Sequence, residues 1–137
     1  MVRTESQFTV RTPGRVSLVN VTRELERAVR ESGVESGVAC AFVPHTTCAL
    51  IVNEDEAGLR EDILRMVAGV VEPLRGHMPF AHDRIDDNAA AHLAAILLQP
   101  SVVIPVSGGS PALGTWQSLF VVEMDGPRTR TVRVTVL

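Results

Sequence analysis

At 137 residues, 45 % of them hydrophobic and 21 % charged, the chain has material for one globular domain and too little for two. Its 13 Lys and Arg against 16 Asp and Glu give a net charge of -3, and 4 % aromatics without a tyrosine leave few stacking surfaces, so nucleic acid is disfavoured as a partner. No apolar run reaches the roughly eighteen residues that a membrane span needs, and the opening MVRTESQFTV lacks a basic segment followed by an apolar core, so no membrane association and a cytoplasmic location are expected.

Residues 7–11 and 15–19 alternate apolar and polar around Thr12-Pro13-Gly14, which predicts a hairpin. Asn20 then suits the cap of a helix whose Val21, Leu25, Ala28 and Val29 form one apolar stripe, and Gly33 suits its end. Residues 37–43 and 47–52 read as two strands joined at Pro44-His45-Thr46, with apolar runs that predict burial on both faces. Cys40 and Cys48, placed almost symmetrically about Pro44, would face each other across such a hairpin; without a secretory signal they read as reduced, largely buried thiols. Asn53 suits the cap of a second helix, with Glu56 at its third position and Leu59, Ile63, Met66 and Val67 inward.

Residues 69–83 are irregular, broken by Pro73, Gly76 and Pro79, and carry His77 and His82, as a loop lining a site would. Asp86 or Asp87 caps a third helix through residue 98, in which Ile85, Ala89, His92 and Ile96 recur at helical spacing, so His92 is expected on the inward face. A further hairpin turns at Gly108-Gly109 and returns through Gly114-Thr115-Trp116-Gln117 into an extended run, and after Asp125-Gly126-Pro127 a last strand closes the chain. Without a repeated βαβ unit this order predicts an α+β fold with mainly antiparallel sheet and about three helices, one domain over residues 1–137.

The chemistry-bearing residues are few. His45, His82 and His92 arrive from three elements and could hold a divalent metal, zinc or magnesium, with one position open to water or substrate. Against this, no H-x-x-x-H or C-x-x-C pair occurs, and a hydrogen-bonded core histidine with a turn histidine explains the same positions. Asn88 lies four residues before His92, on the same helix face, where it could orient a ligand or the ring. Asp83, Asp86 and Asp87 could fix a ring N–H, although Asp at a loop-to-helix junction is first of all a cap. Cys48, three residues after His45, should point to the opposite face of a strand, which disfavours a thiol-imidazole pair. Gly108-Gly109-Ser110 and Gly114 could offer amides to an anion; with no lysine in the chain, a phosphate would need Arg84, Arg128 or Arg130.

Three ordered blocks resemble the YjbQ family, also called uncharacterised protein family 0047, over nearly the whole chain. They are Ser101-x-x-Ile104-x-Val106-x-x-Gly109 followed by Gly114-Thr115-Trp116-Gln117-x-Leu119, then His45-Thr46-Thr47 leading to Asn53-Glu54, and His82-Asp83 leading to Asp87 and His92. The resemblance implies a sandwich-like antiparallel core, a homotrimer, and secondary thiamine-phosphate synthase activity. It also implies that His45, Asn53, Glu54, His82, Asp87, His92, Thr115, Trp116, Gln117 and Glu123 line one pocket, with the three histidines as metal candidates. Many relatives read Glu-His-Arg after the tryptophan strand, where this chain has Glu123-Met124-Asp125, so a histidine and a cation are missing there.

The resulting expectation is a small enzyme acting on a phosphorylated heterocycle. Glu54 or Glu123 would be the general acid/base, His92 would act beside them, and Asn53, Asp87, Asn88, Thr115, Gln117 and the ring of Trp116 would hold the substrate. Thiamine-phosphate synthesis, which joins a pyrimidine diphosphate to a thiazole phosphate with loss of diphosphate, is the first activity implied. A metal-assisted hydrolase of a phosphorylated or carboxylated metabolite, and a metabolite-binding trimer without turnover, are the alternatives.

Overall fold

Apolar alternation and local caps build eight strands and three helices in residues 3–137, the part of the chain described by this computed structural model. In chain order these are β1 (Thr4–Arg11), β2 (Ser17–Asn20), α1 (Thr22–Ser32), β3 (Ser36–Phe42), β4 (Cys48–Asn53), α2 (Ala57–Gly69), α3 (Ala89–Leu98), β5 (Ser101–Ser107), β6 (Ser110–Pro111), β7 (Ser118–Glu123) and β8 (Thr129–Val136). Two 3-10 turns, Glu72–Arg75 and Ala81–Arg84, fill the irregular stretch between α2 and α3.

All strand pairs are antiparallel, and the fold is α+β as the element order predicts. A five-stranded sheet runs β1-β8-β3-β5-β6 and a three-stranded sheet runs β2-β7-β4. The three expected hairpins are not formed as drawn. β1 and β2 lie in different sheets, β3 and β4 lie in different sheets, and β5 turns back only into the two-residue β6 while β7 joins the smaller sheet. Alternation specifies that a segment is a strand and which face it buries; it does not specify the partner. Cys40 and Cys48 therefore belong to separate sheets, and both are free thiols.

The two sheets face each other across a core that includes Ala39, Ala41, Leu50, Ile104, Val121, Val132 and Val134. Helix α1 closes it with Leu25 and Val29, both fully buried, each worth about 1.5–3 kcal/mol of transfer free energy. On the other side of the smaller sheet, Ile63 and Val67 of α2 and Ala91 and Ala94 of α3 cover Leu18, Ala49, Phe120 and Val122. β4 is thus buried on both faces over its first half, whereas β3 buries only alternate residues and leaves Val38 and Phe42 on the uncovered outer face of the larger sheet.

The helix ends follow the residue types with shifts. Asn20 accepts the Thr22 amide at 3.0 Å, and Gly33 closes α1 in the left-handed region at φ 72°. Asn53 stays in β4, so the cap of α2 is Glu56, whose carboxylate accepts the amides of Gly58 at 2.8 Å and Leu59 at 2.7 Å. Met66, expected inward, is exposed. At α3 neither Asp86 nor Asp87 caps; Asp83 reaches forward to accept the Ala89 amide at 3.1 Å. The buried face of α3 is Ala89, Ala91 and Ala94, small residues that let the helix sit close on the sheet, so Ile85 and Ile96 are exposed and His92 lies at the margin, half-buried.

Three connections cross between the sheets at one end of the molecule: residues 12–16, 43–47 and 124–128. The second and third decide the position of the histidines. The third packs on the first so closely that a Cβ on Gly126 would lie 2.3 Å from the Gly14 carbonyl oxygen, which only glycine avoids.

Candidate functional site

The 43–47 crossing carries His45 and is held from the larger sheet. Arg130 donates through Nη2 to the Thr47 hydroxyl at 2.8 Å, the Thr47 carbonyl accepts the Met124 amide at 3.2 Å, and His45 Nε2 accepts the Thr131 amide at 2.9 Å. Beyond Phe42, which pairs with Arg133, β3 leaves the ladder, and the His45 ring takes up the freed amide of β8. So placed, His45 lines a cleft of about 300 Å³ with Thr46, Cys48, His92, Ala95, Ile96 and Pro100. Because His45 sits in the crossing and not in a strand, it shares this cleft with Cys48, contrary to the alternation argument.

Burial, and next the charge of Arg130, hold the His45 imidazole below its ordinary pKa. Desolvation pushes the buried Cys48 thiol up to about 11, so it is no nucleophile near neutral pH. A larger trough of about 560 Å³, lined by Glu5, Gln7, Cys40, Phe42 and Arg133 among others, lies on the outer face of the larger sheet and holds no histidine.

His82 packs edge-on against His92, with ring centroids 4.7 Å apart and planes at 83°. Its Nε2 is buried without a hydrogen-bond partner. Asn88 donates to Asp125 at 3.0 Å and leaves its own Oδ1 buried and unpartnered, while Arg128 holds the same Asp125 oxygen at 3.0 Å. Asp87 is exposed and offers only its backbone carbonyl, to Arg15 at 2.9 Å. Asp83, paired with Arg75 and capping α3, has no imidazole to orient.

Glu123 does not suit the acid/base role expected of it. It is fully buried, and its two oxygens accept the Thr12 hydroxyl at 2.7 Å, Arg130 Nε at 2.8 Å, Arg130 Nη2 at 2.5 Å and the amides of Met124 and Asp125 at 3.1 and 3.2 Å. Burial alone would raise this carboxyl; the bonds from Arg130, Thr12 and Asp125 outweigh it and hold the group ionised and below its ordinary range. Glu123 is the knot that ties the three crossings together.

The remaining expected residues stand at the other end of β4. Asn53, opposite Ser118, is five residues from Cys48, roughly 17 Å along an extended strand. Its Oδ1 accepts the Glu54 amide at 2.8 Å, and Glu54 is half-buried. Gln117 Oε1 accepts the Gly114 amide at 2.8 Å and so fixes the turn that carries Thr115 and Trp116, both exposed. Within one chain the ten signature positions therefore form two groups: His45, His82, Asp87, His92 and Glu123 near one end of the smaller sheet, and Asn53, Glu54, Thr115, Trp116 and Gln117 near the other.

A three-imidazole metal centre does not fit this arrangement. Among the described residues no three His, Cys, Asp or Glu side chains gather as a ligand set, and the Nε2 lone pair of His45 is already engaged by the Thr131 amide. The sequence pointed to Arg130 only as a phosphate cation, and offered Thr131, Ala95, Ile96 and Pro100 no part in a site. The alternating Val132, Val134 and Val136 imply a buried face for β8, and Arg130 in phase with them was the available signal that this arginine points inward.

A family model described as "UPF0047 protein YjbQ-like" matches residues 6–137. A UPF0047 protein of Archaeoglobus fulgidus is 46 % identical over 131 residues, spanning 96 % of this chain and 99 % of its own. The UPF0047 protein YugU of Bacillus subtilis is 33 % identical, with 93 % and 95 % covered. Among solved structures, a YbjQ-like protein of unknown function from Sulfolobus solfataricus P2 superposes with a TM-score of 0.91 at 41 % identity, over 98 % of this chain and 96 % of that one. A hypothetical protein of Aeropyrum pernix K1 does so with a TM-score of 0.91 at 42 % identity, over 98 % of each chain.

Proposed function

This chain belongs to the UPF0047 YjbQ-like family, and from that premise we propose that it is a small-molecule enzyme working in the His45–His92 cleft on a phosphorylated or carboxylated metabolite. The observation that carries the reading is one cleft lined by two imidazoles from separate elements together with the apolar Ala95, Ile96 and Pro100. Proton transfer there falls to the imidazoles, because Glu123 is saturated and Glu54 stands at the far end of β4. Arg133, exposed on the outer face of the larger sheet and without an ion-pair partner among the described residues, adds a weak positive field at His45 that favours an anion there.

Thiamine-phosphate synthesis is the activity to assay first. In it the thiazole nitrogen attacks the methylene carbon of the pyrimidine diphosphate, the C–O bond breaks, and the electron pair leaves on diphosphate, whose charge needs N–H donors or cations. The expected result is thiamine phosphate from the two substrates with the wild-type protein and a loss of at least tenfold in His92→Ala with its circular dichroism unchanged. Equal turnover in His92→Ala removes the cleft from the mechanism.

The homotrimer is part of the same proposal. Val38, Phe42, Val103 and Pro105 leave an apolar stretch on the outer face of the larger sheet, and packing of copies is what would bring a Trp116 group to a His92 group. Light scattering on the purified protein reads the state directly, and a monomer at micromolar concentration ends that part of the reading. A cytoplasmic site of action belongs to the proposal as well.

A further inference from the structure

We propose that His45 is a tautomer-locked hydrogen-bond donor, presenting Nδ1–H to an oxyanion of the bound metabolite, and not a metal ligand. A neutral imidazole has one N–H and one lone pair. Here the lone pair is assigned by the backbone, since Nε2 accepts the Thr131 amide at 2.9 Å. The proton therefore resides on Nδ1, which has no protein partner among the described residues and is not among the buried unsatisfied atoms, so it is accessible on a residue that lines the cleft.

The lock is itself held rigid. Arg130 immediately precedes Thr131, and its guanidinium is fixed by both oxygens of Glu123 and by the Thr47 hydroxyl two residues after His45. The same arginine thus sets the strand that donates to the ring and the crossing that carries the ring. Arg130 and the Thr131 amide are positioning groups for a donor that His45 supplies, an arrangement suited to a carboxylate or phosphate oxygen and unsuited to a cation. His82 and His92 keep their edge-to-face contact outside this lock.

The oxyanion role rests on the cleft being the binding site; the tautomer and the metal statement do not. The test is NMR of the full-length protein with ¹⁵N-labelled histidine at neutral pH, first alone, then with one equivalent of zinc, then with inorganic phosphate in place of zinc. The expected pattern is a protonated Nδ1 and a lone-pair Nε2 on His45, unmoved by zinc, with the Nδ1 signal shifting on phosphate addition. A protonated Nε2, or movement of the His45 nitrogens by zinc, overturns the lock. A locked ring that ignores phosphate overturns the donor role while the lock stands, and the functional reading of the cleft is decided separately by turnover in His92→Ala. Assignment uses His45→Gln; if that variant fails to fold, a backbone-to-ring coupling from the Thr131 amide to His45 Nε2 in the wild type assigns the signal instead.

Discussion

Glu123 at the end of β7 and Arg130 near the start of β8 meet fork to fork, Nε to Oε1 at 2.8 Å and Nη2 to Oε2 at 2.5 Å, with 0 % and 5 % of the two residues exposed. The pair bridges the two sheets, and Thr12 and Thr47 attach the other two crossings to it. Its chemistry is spent on the fold, and the cleft inherits its geometry.

Removing one partner leaves a buried charge alone. Glu123→Gln and Arg130→Met should each lower unfolding stability by about 3–5 kcal/mol, and the double variant Glu123→Leu/Arg130→Met should recover much of that loss. Urea denaturation of the four proteins measures this. A change below about 1 kcal/mol in either single variant would show that the pair is open to water.

Acid should act through the same carboxylate. Its folded pKa is depressed, so its contribution is complete above the ordinary carboxylate value of about 4.3 and is lost as the pH falls through the lower folded value. Stability should fall more steeply below pH 5 in the wild type than in Glu123→Gln. Parallel curves would assign acid unfolding to other depressed acids such as Asp55, Asp83 and Asp125.

The cysteines should differ in reactivity. Cys48 is 1 % exposed with its thiol at about pKa 11, whereas Cys40 is half-buried on the outer face of the larger sheet. Iodoacetamide at pH 8 should reach Cys48 only on unfolding, and should modify Cys40 in the native protein only where no second copy covers the outer face, as peptide mass mapping will show. Native labelling of Cys48 would mean that the cleft opens to its floor.

Arg75 straps the stretch between α2 and α3. It bonds Glu72 at 3.0 Å, pairs with Asp83 and lies over the Phe80 ring at 4.4 Å. Since Asp83 also caps α3 next to His82, Arg75→Ala should loosen the His82–His92 contact while costing only about 1 kcal/mol of global stability. Faster proteolysis confined to residues 72–85 is the expected readout; an unchanged digestion pattern would show that the strap is not what orders this stretch.

Element types were legible because they depend on local chemistry: period-two alternation in β1 and β8, the apolar stripe of α1, glycine at its left-handed end, and the α+β order itself. The three-block resemblance likewise identified the family from side chains alone. Strand partnership was not legible, because an apolar run such as residues 47–52 is buried equally well in a hairpin with its neighbour in sequence or beside β7 in the smaller sheet, where it lies. The same limit applied to the site. Sequence placed His45, His82, His92, Asn53 and Trp116 in one signature, yet the extended β4 separates His45, in the crossing before its first residue, from Asn53 at its last. Only the tertiary structure decided that Glu123 is buried against Arg130, that the Thr131 amide claims the His45 lone pair, and that His92 turns to the cleft. Each of these rests on a contact between residues more than five apart in sequence and brought together by the sheet crossings, which no local pattern records.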